Sequence, residues 1–80
     1  MLNIADCQRT EFVVALKEGE AAGTRSETWP PEVQAFMEKS VNRWVGDNKQ
    51  KHTIRAMTVA APKCGNTQSC VVILHHDPNG

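Results

Sequence analysis

The chain has 80 residues, 40% of them hydrophobic and 22% charged, and its nine basic and nine acidic side chains leave no net charge at pH 7. That length bounds the protein to a single compact domain over residues 1–80, burying a little over ~60% of the surface its unfolded chain exposes. Zero net charge is no signature of a polyanion-binding protein, and no run of eighteen apolar residues offers a membrane span.

Two Phe, two Trp and no Tyr make a light core, rich in Val and Ala. It suffices for one helix on a small sheet but not for an enclosed pocket of ordinary substrate size. Pairing of two chains would relieve the shortage, so the expected state is a monomer or a homodimer. The N-terminal Met-Leu-Asn-Ile-Ala-Asp-Cys lacks a basic segment and a long apolar stretch, which reads as no secretory signal. Three cysteines are an odd count with no disulfide framework. The expected setting is therefore reducing and cytoplasmic (the host cytoplasm for a phage-encoded chain).

In chain order, Glu11–Lys17 reads as a strand, with Phe12, Val14 and Leu16 alternating on one face, and Lys17-Glu18-Gly19-Glu20 as the turn after it. A helix from Asp6 to Glu18, capped by Asp6 and stopped by Gly19, is the rival; the consecutive valines favour the strand. Residues 24–29 read as a doubtful edge strand or a loop. Trp29-Pro30-Pro31 forces an extended lead into the next element.

That element is the clearest of the chain, a helix over residues 31–45. Val33, Phe36, Met37, Val41, Trp44 and Val45 fall on one face, and all six are expected to be buried. Pro31 suits a first helical position, Gly46 the left-handed position after the helix, and Arg43 the last turn. A turn-prone basic linker follows to Lys51. His52–Ala61 reads as a strand ended by Pro62, residues 62–69 as a loop, and Cys70–Leu74 as a strand. The unbroken apolar run at Cys70–Leu74 marks the central strand, covered on both faces. The predicted fold is α+β: one amphipathic helix packed on an antiparallel sheet of three to four strands, in the order ββαββ.

The chemistry-bearing residues do not form a catalytic pattern. No phosphate-binding glycine loop, Gly-x-Ser-x-Gly or His-Glu-x-x-His motif is present. Cys64, Cys70, His75 and His76 fit none of the closed zinc spacings, and adjacent histidines in a strand point to opposite faces. A Cys64–Cys70 bridge would span the base of the hairpin loop, but the expected reducing setting opposes it. Cys7 reads as a small packing residue. No enzyme activity, cofactor or metal is expected.

Charge is unevenly spread. Seven acids and four bases lie in residues 1–40, while residues 41–80 carry five bases against Asp47 and Asp77. Arg43, Lys49, Lys51 and Arg55 would form a basic patch, and Glu18, Glu20 and Glu27 an acidic one. Trp29, between Arg25 and the prolines, reads either as an exposed anchor for a partner or as the residue that closes the thin core. These eight residues are the candidate partner-binding set. The expected function is binding and blocking, or adapting, another macromolecule, either a protein or a protein–nucleic acid complex. Size and the absence of chemistry are shared with inhibitors from phages and mobile elements, including anti-CRISPR proteins. The alternative is a nucleic-acid-binding regulator using the basic segment 43–55.

Overall fold

The computed structural model describes residues 7–79. Asp6, the cap of the rival N-terminal helix, lies outside them, as does the rest of the leader reading apart from Cys7. The elements run β1 (Gln8–Ala15), a single 3-10 turn (Ser26–Thr28), α1 (Pro31–Asn48), β2 (His52–Ala60), β3 (Lys63–Cys64) and β4 (Thr67–Pro78). One helix packs on an antiparallel four-stranded sheet, as the sequence predicts, but the order is β-α-β-β-β. β4 is the centre, with β1 on one side from Gln8↔His76 to Ala15↔Ser69. β2 lies on its other side from His52↔Pro78 to Ala60↔Val71. β1 and β2 therefore run parallel to each other, and both are edges of the sheet.

The expected edge strand at 24–29 is replaced by the 3-10 turn. Thr28 explains this: its Oγ1 donates to the Arg25 carbonyl at 2.6 Å and accepts from the Gly23 N–H at 2.9 Å. A threonine satisfying backbone groups three and five residues back holds the segment in a turn and removes it from any ladder. A Cβ at Gly23 would stand 2.9 Å from that hydroxyl, so the contact requires glycine.

The helix starts at Pro31 and runs three residues past its expected end. Gly46 does not take a positive φ and lies inside the helix; Asn48 closes it instead, donating through Nδ2 to the Trp44 carbonyl at 2.9 Å. Arg43 consequently sits short of the last turn, which contains no basic residue. Val33 and Met37 are buried, and Val41, Trp44 and Val45 are half-buried, but Phe36 is 59% exposed. Phe36 lies about 100° round the helix from Met37. A lone helix over a three-strand span buries a narrow stripe, and Phe36 falls on its flank.

The loop expected at 62–69 holds a small hairpin, in which Cys64 pairs with Thr67 across Gly65 and Asn66. Gly65 has φ +62°, as the first position of a two-residue hairpin turn of this sense requires. β4 is accordingly longer than Cys70–Leu74 at both ends. Along it Cys70, Val72, Leu74 and His76 are buried, while the residues between them are half-buried. The helix covers only the first set; Val71 and Ile73 lie on the other face, where the structure places no second layer among the described residues. Burial of β4 on both faces is thus incomplete. Under the helix the core is Trp29, Val33, Met37, Cys70 and Val72, with Phe12, Val14, Leu16, Val41 and Val59 packed against it. Among the described residues no helix is long and apolar enough to cross a membrane.

Candidate binding groove and the histidine pair

Two features under the helix carry the chemistry of the molecule. The first is a groove between α1 and β2. Met37 and Val41 form its helical wall, Met57 and Val59 its strand wall, and Trp29 and Val72 its floor. Ser26, Gln34, Glu38 and Asn42 form a polar rim. Its volume, roughly 280 Å³, is below the usual range for small-molecule sites. It exists because alternation along β2 turns Met57 and Val59 toward the helix side, where the stripe of α1 does not fully reach them. Met57 remains 60% exposed as a result. Two methionines in the walls give an adaptable, polarizable apolar surface.

Trp29 needs correction as an exposed anchor. It is only 3% exposed, and its indole N–H donates to the Gly23 carbonyl at 2.9 Å. It closes the core and meets a partner only as the groove floor. The segment around it is tied down by Gln68, whose Nε2 donates to the carbonyls of Ala22 and Ala61 while its Oε1 accepts from the Ala22 N–H. Gln68 has no sequence signature, because its partners lie on two other segments.

The other candidate residues do not line the groove. Glu18 is exposed in the turn at Gly19, whose φ is +88°. Glu20 accepts the Lys17 N–H at 2.9 Å, and Glu27 pairs with Arg25 at 3.2 Å. That ion pair is largely exposed and contributes little stability. Arg43, Lys49 and Lys51 are exposed on the helix and the turn after it. Arg55 is held by Asp77 at 3.0 Å, so part of its charge is already compensated. The sequence places Met57 and Val59 in the strand expected over His52–Ala61. Nothing local distinguishes a strand face that its helix leaves uncovered.

The second feature lies at the far end of the helix. His76 is 3% exposed, with Nδ1 3.1 Å from His52 Nδ1 and Nε2 2.8 Å from Thr10 Oγ1. The two rings meet edge to face, and Trp44 packs over His76 with ring centroids 4.7 Å apart. Burial holds the His76 pKa below its ordinary value, and the neighbouring His52 adds to the effect. Asp77 opposes the shift and His75 reinforces it. Only one of the facing Nδ1 atoms can carry a proton while the contact lasts. His75 points to the opposite face, as adjacent strand residues must, with Nε2 3.0 Å from Thr58 Oγ1.

Cys70 is completely buried, and burial, followed by the charge of Glu20, pushes its thiol pKa up; it is a packing group. Cys64 is exposed, and both are free thiols. Among the described residues no group of three or more His, Cys, Asp or Glu is arranged to hold a metal ion. Compared with known proteins, the chain matches no family model, no curated protein and no solved structure.

Proposed function

We propose that the protein is a non-enzymatic binding protein that engages another macromolecule through the groove between α1 and β2. The observation that carries this reading is Met57: a large apolar side chain, 60% exposed, beside the half-buried apolar side chains of Val41 and Val59. Exposed apolar surface rimmed by polar side chains is the composition of a protein-recognition site. The partner is a protein, alone or within a protein–nucleic acid complex, and binding blocks or adapts it. Inhibition of the kind encoded by phages and mobile elements, anti-CRISPR proteins included, is the narrower form of this reading; it rests on size and the absence of a catalytic motif. A direct nucleic-acid interface through Arg43, Lys49, Lys51 and Arg55 has less in its favour, since Asp77 already occupies Arg55.

The test is comparative capture from the producing cell, using the full chain and its Met57→Glu variant. Met57 contributes little to the core, so the variant keeps the fold. A partner retained by the parent and lost with Met57→Glu supports the groove. Equal retention by both, or loss only with Lys49→Glu and Lys51→Glu, overturns it.

A further inference from the structure

We propose that the occupant of this groove is an extended segment of the partner, added alongside β2 as a further strand, with a basic residue near Glu38. This rests on the groove being the binding surface and names what enters it. Three observations point to an extended chain. First, β2 is an edge: β4 pairs it on one side, and no described strand pairs it on the other. Alternate residues of an edge strand turn their N–H and C=O groups outward, a template for one more strand.

Second, the template is confined to the half of β2 that borders the groove. Near its start the register slips between Ile54 and Ala56, with Arg55 at the irregularity. A bulge and a charge are the devices by which edges are blunted. From Met57 to Ala60 the register against β4 is regular, with no charge and no proline. The other edge, β1, carries exposed Arg9 and Glu11 along its length.

Third, the side-chain spacing fits. Met57 and Val59 lie two residues apart on one face, about 6.7 Å along the strand. The i and i+2 side chains of an added strand repeat at the same interval and enter between them and Met37 and Val41. A helical ligand repeats every three to four residues and leaves the backbone of β2 unsatisfied. Glu38 is the sole charged residue lining the groove among those described, which sets the sign of the partner's flanking residue as positive.

The experiment is a selection of nine-residue peptides from a random displayed library against the full chain. The best binder is then resynthesised with single backbone N-methyl groups at successive positions. Selected sequences are expected to share two apolar residues at i and i+2 and a Lys or Arg. N-methylation at alternate positions is expected to weaken binding about tenfold, the loss of one hydrogen bond, and to leave intervening positions within about twofold. Met57→Glu abolishes binding, and Glu38→Lys weakens it. Binding that is lost with Met57→Glu but shows no alternation under N-methylation overturns the added strand and leaves the groove standing. Peptides insensitive to Met57→Glu, or no selected peptide, overturn both. Self-association of the chain that Met57→Glu abolishes makes the occupant a second copy and overturns the proposal.

Discussion

Trp29 and Trp44 stand at opposite ends of the same helix–sheet interface and close it in opposite ways. Trp29 is buried, the N–H of its indole satisfied by the Gly23 carbonyl, and its core neighbours are Val33, Met37, Cys70 and Val72. Trp44 is half-buried against two imidazoles, which meet each other through facing Nδ1 atoms 3.1 Å apart. The first end holds the fold by area and shape. The second holds it by a polar contact whose strength depends on protonation. A small domain with few aromatics thus has one end packed on apolar side chains and one packed on imidazoles.

Removing the apolar end is the largest perturbation. Trp29→Ala should cost ~3–5 kcal/mol, the range for deleting a buried aromatic side chain. For a domain this size that approaches the whole stability, so urea titration should show a midpoint near zero denaturant. A midpoint close to that of the parent would mean Trp29 does not close the core.

The imidazole end should respond to acid instead. Burial, reinforced by His52, lowers the folded pKa of His76 below the ordinary 6.5. Well above pH 6.5 it is neutral folded or unfolded, and its contribution to stability is at its full value. As pH falls below 6.5 the unfolded chain takes up a proton that the folded chain resists, so stability declines toward the folded pKa. The slope is at most about 1.4 kcal/mol per pH unit for one proton. Thermal melting across this window should show the decline in the parent and a shallower one in His76→Gln. Identical slopes would assign the pH response to other groups.

Two smaller effects test the outer side of the helix between these ends. Gly46 is helical and exposed, and a Cβ there would meet nothing within 4 Å. Gly46→Ala should therefore stabilise by ~0.5–1 kcal/mol; destabilisation in calorimetry would show that the helix ends there after all. Phe36→Ala should change stability by under about 1 kcal/mol, since the ring is 59% exposed. A loss like that of Trp29→Ala would place Phe36 in an interface.

The sequence by itself determined the elements whose signals are local. Period-two alternation over Phe12, Val14 and Leu16, the helical stripe from Val33, and the apolar run at Cys70–Leu74 each follow from the geometry of one segment. So does the opposition of His75 and His76. The positive φ at Gly19 falls in the turn marked at residues 17–20. Where a segment's fate depended on distant partners, the pattern was insufficient. Thr24–Trp29 alternates like an edge strand, but Thr28 and Gln68 hold the chain in a turn. Phe36 sits on the apolar side of the helical wheel, yet the sheet beneath is too narrow to reach it. Gly46 is a good helix terminator, yet hydrogen bonding continues to Asn48.

Tertiary structure alone decided the two features that matter for function. His52 and His76 become neighbours because β2 and β4 pair in a register set by residues between them. The groove exists because α1 lies over the sheet without fully covering the helix side of β2. Both depend on how elements are placed against one another, and side-chain periodicity specifies which face is apolar without specifying what, if anything, will cover it.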